Sequence, residues 1–325
     1  MNKWLPWILC GILIVALGAT IYEIRSEESS DDTAAINPNC VKQFPLTSHL
    51  LDCSEYDDKA LRLQSIDDSI TQAAHLAISQ GKATRVSVWV RDLNSLQVAN
   101  VDELDTYDPA SLLKLPLAIA FYKYSEISPT ILDQQITYAT PADLNEQYNF
   151  FTASTTLVVG QSYSVQELLS RMLAHSDNGA YYTLLAHIDN NFYNHVLLDL
   201  GIQIPANSHV YNFVTPKSYA NMFRQLYFAT YLNRTNSEHI LDTLSSSTFP
   251  GIRTSVPSGD TVADKFGERS VYDQYGAPLT DELHDCGIVF KDNSPYIICV
   301  MTEGKDFNTL LSIIQDMSKL VYNSI

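Results

Sequence analysis

Residues 176–178 are Ser-Asp-Asn, and two further short motifs flank them along the chain. Residues 111–114 (Ser-Leu-Leu-Lys) precede them, and residues 265–267 (Lys-Phe-Gly) follow them. Together the three motifs supply two serines and two lysines, which can carry out acyl transfer without a histidine. Their presence in one chain therefore predicts a reaction class, and each motif carries a separate part of the chemistry.

The first motif is a Ser-x-x-Lys, and the chain contains this pattern twice. In one copy Gly81 ends a predicted helix between Ser79 and Lys82, so the two side chains need not share a face. The other copy, Ser111 and Lys114, is predicted within the first turns of a helix, where residues three apart are neighbours. Burial and a second lysine would lower the pKa of Lys114, whose uncharged amine can take the serine proton. The alternative is a buried helix with a lysine that reaches solvent.

The second motif is predicted to form a loop between two helices. Ser176 can pass a proton to a leaving nitrogen, Asn178 can hold a substrate amide, and Asp177 is expected to brace the loop. The alternative is ordinary helix capping, because serine, aspartate and asparagine are all favoured at that position.

The third motif ends a predicted strand. Lys265 would add positive charge to a cleft, and Gly267 would let a substrate lie against the strand. The backbone N–H of Glu268 would then form an oxyanion hole with that of Ser111, beside the positive end of a helix. The alternative is a turn with an exposed lysine.

The three motifs in this order resemble those of the class A β-lactamases and their D,D-peptidase relatives, the penicillin-recognising serine hydrolases. The resemblance covers about residues 57–325 and includes the context of each motif, at 107–116, 262–267 and 285–289. It implies a β-lactamase/transpeptidase-like fold and an acyl-enzyme mechanism on a β-lactam or a peptidoglycan-type amide. It also implies a role for each of five residues: the nucleophile Ser111, its base Lys114, the proton relay Ser176, the substrate contact Asn178 and the electrostatic anchor Lys265.

The first departure from this pattern lies in the loop before the helix that begins at Thr215-Pro216. Class A lactamases carry there a glutamate that activates the water for deacylation. Here residues 201–215 contain no aspartate or glutamate, and His209 is the only residue among them that could act as a base near neutral pH. We therefore expect acylation to be followed by slow deacylation.

The second departure lies in the third motif, where Phe266 replaces the usual threonine or serine and Glu268 follows the glycine. A hydroxyl that would bind a substrate carboxylate is lost, and a negative charge is placed nearby. Both changes act against a substrate that bears a carboxylate. Whether Arg269 neutralises Glu268 is left open by the sequence.

Hydrophobic patterns predict strands at both ends of a domain and helices between them. Five strands are predicted, over 86–90, 98–101, 261–265, 287–291 and 296–301. Amphipathic helices are predicted over 57–79 and 307–321. This order indicates an α+β fold, in which a five-stranded antiparallel sheet is flanked by terminal helices and an all-helical subdomain is inserted. The sheet part is predicted over about 57–105 and 255–325, and the helical part over about 106–254.

The amino-terminal region is predicted to anchor the domain to a membrane. Residues 4–22 are uncharged and just long enough to cross a bilayer as a helix. Lys3 precedes them and acidic residues follow, so residues 1–3 should be cytoplasmic and the rest extracytoplasmic in a single-pass protein of the cell membrane. A cleaved signal peptide is the alternative. The polar, acidic stretch over 23–39 is predicted to be a flexible linker to the domain at 40–325.

The charge and the cysteines limit the partners. A net charge of -17 excludes a nucleic-acid partner, which needs a basic face. The histidines form no metal-binding motif, so no metal or cofactor is expected, and the predicted partner of a monomeric protein is a small molecule or a peptidoglycan-derived substrate. Outside the cell, Cys40 and Cys53 are expected to pair, whereas the spacing of Cys286 and Cys299 about a turn leaves two states open across a hairpin, a bridge or two buried thiols.

These observations leave two classes of function open. The first is an anchored serine hydrolase, whether a lactamase, a D,D-peptidase or an esterase. The second is a catalytically degenerate binding module of the cell envelope with the same fold. The loss of the loop carboxylate favours the second, and the retention of all five candidate side chains favours the first.

Overall fold

Strands from both ends of the domain meet in one sheet. In a computed structural model of the protein, the residues described are 62–140, 144–145, 150–151, 156–207, 210–272, 274–275 and 278–325. The sheet has the order β2-β1-β7-β6-β5, and each strand runs antiparallel to its neighbours. Its strands are β1 (Arg85–Asp92), β2 (Val98–Val101), β5 (Thr261–Tyr272), β6 (Pro278–Phe290) and β7 (Tyr296–Gly304). The predicted five-stranded antiparallel sheet is therefore confirmed.

The two terminal helices cover one face of this sheet. They are α1 (Arg62–Ser79) and α8 (Phe307–Ser324). Their apolar sides form a core with inward-facing strand residues, in which Ile70 of α1, Val88 of β1 and Leu310 of α8 are all fully buried. Strand β1 pairs with β7 along its whole length, so the amino-terminal and carboxyl-terminal parts of the domain are joined by backbone hydrogen bonds.

The inserted segment is mainly helical and packs on the other face of the sheet. Its helices are α2 (Lys114–Ser125), α3 (Val165–Ala174), α4 (Asn178–Leu185), α5 (Asn190–Asp199), α6 (Pro216–Tyr227) and α7 (Arg234–Ser245). A short hairpin of β3 (Gln135–Thr137) and β4 (Ser162–Ser164) lies between α2 and α3. Helix α2 is buried nearly all round, as its continuous apolar sequence predicts, and its Phe121 belongs to the same core as Leu168 of α3 and Phe223 of α6. The site motifs lie between this helical layer and the sheet.

Several predictions concern residues outside the described part of the chain. They are the membrane span over 4–22, the linker over 23–39, the pair Cys40 and Cys53, and the loop residue His209. Within the described residues, none of the helices combines the length and the apolar character needed to span a bilayer.

Cys286 and Cys299 are joined by a disulfide bond. The two residues are directly opposite each other in the register of β6 and β7, and both are fully buried. Of the two states that the sequence left open, the structure therefore contains the bridge.

Substitution of Gly287 is expected to destabilise the sheet. A Cβ atom at this position would lie 2.4 Å from the carbonyl oxygen of Ala263 and 2.7 Å from the Cα of Asp264, on the neighbouring strand β5. Because both atoms belong to the backbone, Gly287→Ala should lower the free energy of unfolding by about 3 kcal/mol. Gly259→Ala, where a Cβ meets nothing within 4 Å, is the matched control and should change it by less than about 0.5 kcal/mol. Chemical denaturation measures both, and equal effects would contradict the expectation.

Candidate active site

A tight turn presents Ser111 at the start of helix α2. The sequence predicts this serine within the helix, but the structure places it in a 3₁₀ turn, Ala110–Leu113, and the α-helix begins at Lys114. The turn starts from a strained backbone, since Ala110 has a φ of 44°. The hydroxyl of Tyr219, on helix α6, donates a 3.0 Å hydrogen bond to the carbonyl oxygen of Leu112. Ser111 is half-buried and faces the inside of the site.

The amine of Lys114 lies at the centre of the site. Its Nζ is 2.8 Å from the Oγ of Ser111 and 2.9 Å from the Oγ of Ser176. It also donates to two oxygens that can only accept, the carbonyl oxygen of Ser176 at 2.6 Å and the Oδ1 of Asn178 at 2.7 Å. The structure thus brings three other predicted site residues, Ser111, Ser176 and Asn178, within hydrogen-bond distance of the Lys114 nitrogen.

These contacts are compatible with an uncharged Lys114. The side chain is 1% exposed, and burial together with the nearby Lys265 lowers its pKa well below the usual value. A neutral amine has two N–H donors, which the two accepting oxygens can use. Its lone pair then remains for a proton from a hydroxyl group, and Ser111 carries such a proton at 2.8 Å.

The Ser-Asp-Asn loop connects α3 to α4 through a strained residue. Ser176 has a φ of 54°, which turns the chain sharply and directs both its oxygens at Lys114. Asp177 caps α4 by accepting a hydrogen bond from the backbone N–H of Ala180, which agrees with the expected bracing role. Asn145 accepts a hydrogen bond from the backbone N–H of Asn178 at 2.7 Å and so orients that residue.

Lys265 projects from β5 toward the same serine. Its Nζ donates to the Oγ of Ser176 at 3.0 Å and to the carbonyl oxygen of Phe266 at 2.8 Å. Burial lowers the pKa of Lys265 to about 7, although the carboxylates of Asp285, Asp264 and Glu268 oppose this shift. Ser176 therefore lies between two lysine amines, and a proton can pass through its hydroxyl from one to the other.

Gly267 allows strand β5 to lie against the turn Ala110–Leu113, which carries Ser111. A Cβ atom here would lie 2.8 Å from the carbonyl oxygen of Pro109 and 3.3 Å from the backbone nitrogen of Leu112. Any side chain would therefore push the strand away from Ser111. Among the strands of the described residues, β5 pairs with β6 alone, so its outer edge has no strand neighbour there. Glu268 follows directly, and its side chain is buried.

The structure answers two questions about the second departure. Phe266 is turned to the sheet face that the terminal helices cover, where its ring stacks on Phe249 with centroids 4.1 Å apart. Arg269 does not neutralise Glu268, because its guanidinium pairs with Asp108. Position 266 thus offers the site no side-chain hydrogen-bond donor, and Arg269 does not pair with Glu268.

The loop before α6 contacts the segment that leads to Ser111. The backbone N–H of Tyr107 donates to the carbonyl oxygen of Val214, and the N–H groups of Phe213 and Val214 donate back to the carbonyl oxygen of Tyr107. The loop therefore reaches the site, as the resemblance implies, but it brings no carboxylate there.

Sequence reasoning missed a buried polar group beneath the nucleophile. Glu282 accepts a 2.9 Å hydrogen bond from the backbone N–H of Asp108, and the Nε2 of His284 lies 3.1 Å from the carbonyl oxygen of Asp108. Both side chains are almost fully buried on β6. The available signal was the run of charged residues over 281–285 within a long strand, since charged residues are rarely buried without a partner.

The other Ser-x-x-Lys behaves as the sequence predicts. The Oγ of Ser79 donates to the carbonyl oxygen of Leu76, one turn earlier in helix α1. Ser79 and Lys82 are both exposed, so this copy forms no site. Within the described residues, His, Cys, Asp and Glu side chains form no group of three or more that could hold a metal ion.

Solved structures similar to this chain include class A β-lactamases and PBP-A. PBP-A, solved as an acyl-enzyme complex of a mutant with penicillin G, is 19% identical, with a TM-score of 0.66 over 81% of this chain and 96% of that chain. A β-lactamase from Burkholderia phymatum is 20% identical, with a TM-score of 0.66 over 80% and 99%. The class A β-lactamase from Mycobacterium abscessus is 19% identical, with a TM-score of 0.65 over 80% and 98%. Curated protein sequences gave no match.

At these identities the structures establish the fold alone. The sequence family is shown by a separate comparison, in which residues 68–325 match the model of the β-lactamase enzyme family. That match spans the sheet, the helical insertion and all three motifs. The chain therefore belongs to the β-lactamase enzyme family.

Proposed function

We propose that the protein is a serine hydrolase that forms an acyl-enzyme through Ser111. One observation carries the proposal, the 2.8 Å contact between the Oγ of Ser111 and the amine of the buried Lys114. In the first step Lys114 accepts the serine proton while the Oγ attacks the carbonyl carbon of an amide or ester. The backbone N–H groups of Ser111 and Glu268 receive the developing oxyanion.

The leaving group departs with a proton from Ser176, which Lys265 and Lys114 contact from two sides. Asn178 holds the amide of the substrate, and Gly267 lets β5 lie close to the turn that carries Ser111. Deacylation requires an activated water, and the loop that contacts Tyr107 supplies no carboxylate for it. We therefore propose that acylation is efficient relative to release, so that the acyl-enzyme accumulates on a β-lactam or a peptidoglycan-type amide.

The test is the intact mass of the full-length protein, followed over time after mixing with penicillin G or with a neutral activated ester. We expect an adduct that persists long after the free ligand is removed. Hydrolysis of penicillin G without a lasting adduct would show a lactamase that turns over, with the deacylating water activated by some other group. It would overturn the proposal that deacylation is slow. Ser111→Ala is the control that assigns any adduct to this serine.

A binding module of the cell envelope is the second candidate, and the absence of a loop carboxylate favours it. The two proposals differ in one result. A binding module gives no adduct with any acyl donor, and its affinity for a ligand does not change in Ser111→Ala. A D,D-peptidase or esterase would instead form acyl-enzymes with both kinds of donor. The acyl-enzyme formed from a peptide or ester would then be hydrolysed faster than the one formed from penicillin.

We also propose that residues 4–22 anchor a monomeric protein in the cell membrane, with the domain on the outer side. The length of the uncharged run and the position of Lys3 support this orientation. Protease treatment of intact cells should then remove the domain, and its protection would contradict the orientation.

A further inference from the structure

Glu268 follows Gly267 on β5, beside the turn that carries Ser111. Gly267 packs directly on that turn, so the backbone of Glu268 lies at the edge of the site, and its own N–H is one of the two proposed for the oxyanion. The side chain of Glu268 is 7% exposed, which is unusual for a carboxylate without an ion pair. Its charge acts on both site lysines, since it opposes the downward shift in the pKa of Lys114 and of Lys265.

The carboxylate is held by backbone groups instead of by a cation. The backbone N–H of Phe151 donates to its two oxygens, at 3.1 and 3.2 Å. Arg269, which follows it in sequence, pairs with Asp108. Burial raises the pKa of Glu268 to about 7, and the backbone N–H groups, Lys265 and Lys114 limit that rise. The group is therefore desolvated, and a desolvated charge acts strongly on neighbouring charges.

The cations of the site do not compensate for this carboxylate. Burial lowers the pKa of Lys114 well below its usual value. Burial gives both Lys265 and Glu268 a pKa of about 7, so at pH 7.5 the carboxylate is mostly ionised and Lys265 is mostly uncharged. Position 266 adds no polar group, because its side chain is a phenyl ring, which stacks on that of Phe249. Among the described residues around Ser111, an incoming anion thus meets a buried negative charge and no permanent positive one.

We propose that Glu268 is a specificity-determining residue, which makes the site select acyl donors that carry no carboxylate close to the scissile bond. The preferred substrates would be neutral or cationic esters and amides. This inference rests on the proposed acyl-enzyme function of Ser111 and narrows its substrate class. The physical basis is repulsion by Glu268 of the anionic competitor, so that selectivity comes from an unfavourable contact as well as from favourable ones.

A matched pair of substrates tests this inference. The thioesters of phenylacetylglycine with mercaptoacetate and with mercaptoacetamide differ only in whether the leaving group ends in a carboxylate or a neutral amide. The rate constant for acylation of the full-length protein is measured with each at pH 7.5, by intact mass or by thiol release, and the ratio of the two is the readout. We expect wild type to prefer the neutral thioester by about 10-fold or more, and Glu268→Gln to reduce that preference several-fold.

Two further variants make the result specific. Glu167→Gln removes an exposed carboxylate on α3 and should leave the ratio unchanged. Glu268→Ala removes the charge without the amide, so it replaces Glu268→Gln if that protein does not fold. If the ratio of the two acylation rate constants is the same in wild type and in the Glu268 variants, the inference about Glu268 is overturned, while the proposed acyl-enzyme function stands. If neither thioester acylates any variant, the proposed function is overturned and the inference falls with it.

Discussion

Replacing Ser111 by alanine is expected to abolish the acyl adduct. The substitution removes the only hydroxyl that lies both on the nucleophile turn and within 2.8 Å of the Lys114 amine. No neighbouring group can take its place, because Ser176 is engaged by both lysines as a proton relay. The rate of acylation should therefore fall by roughly 10⁴-fold or more.

The chain provides its own control for this experiment. Ser79→Ala changes the serine of the other Ser-x-x-Lys, which is exposed at the end of α1. It should leave the rate of acylation unchanged within about twofold, since a surface substitution perturbs a distant site little. Both variants should also unfold at nearly the wild-type denaturant concentration. An adduct of undiminished yield in Ser111→Ala would show that another residue is the nucleophile and would overturn the proposed mechanism.

Replacing Lys114 by methionine is expected to have the second-largest effect. Methionine has a similar length but neither accepts nor donates a proton strongly, so the serine loses its base. General-base catalysis is typically worth about 10²–10⁴-fold, and we expect the rate of acylation to fall by about 10³-fold. Lys82→Met, in the exposed copy of the motif, should have no effect. Denaturant unfolding of both variants separates a loss of chemistry from a loss of fold.

The pH dependence of acylation provides an independent check on Lys114. The base must be uncharged, and burial lowers the pKa of Lys114 well below its usual value. The wild-type rate should therefore be high near neutral pH and fall as the pH drops through this lowered pKa. Lys265, whose pKa lies at about 7, contributes best when charged, so the rate should also fall at higher pH. A bell-shaped profile over pH 5–9 is expected, and Lys114→Met should lose its acidic limb.

Either of two results would contradict the assignment of Lys114 as the base. A wild-type rate that rises steadily to pH 10 would mean that the catalytic lysine has an ordinary pKa. An acidic limb that persists in Lys114→Met would assign the limb to another group.

Local patterns in the sequence predicted most of the fold. The alternation of Val86, Val88 and Val90 predicted β1, because successive side chains of a strand lie on opposite faces. Strands at both chain ends with helices between them leave few arrangements open, and an antiparallel sheet joined through β1 and β7 is one of them. The candidate site residues were also found from sequence, since spacing along a helix or strand places Ser111 near Lys114.

The sequence did not predict the local geometry at the nucleophile. Ser111 lies in a 3₁₀ turn and not in the helix itself; the turn begins at Ala110, whose backbone is left-handed, and it packs against β5 at Gly267. Such a conformation depends on contacts between residues more than 150 positions apart, and no local propensity encodes it.

By itself, then, the sequence determined the family, the order of the elements and the identity of the candidate site residues. Tertiary structure alone decided how Ser111, Lys114 and Ser176 share protons, because the pKa of a buried amine depends on which charges and dipoles surround it in space. It also decided the state of Glu268. Its neighbour in sequence, Arg269, turns to Asp108, while the distant Phe151 donates to the carboxylate. Adjacent residues of a strand point to opposite faces, so Glu268 and Arg269 on β5 meet different partners although they are neighbours in sequence.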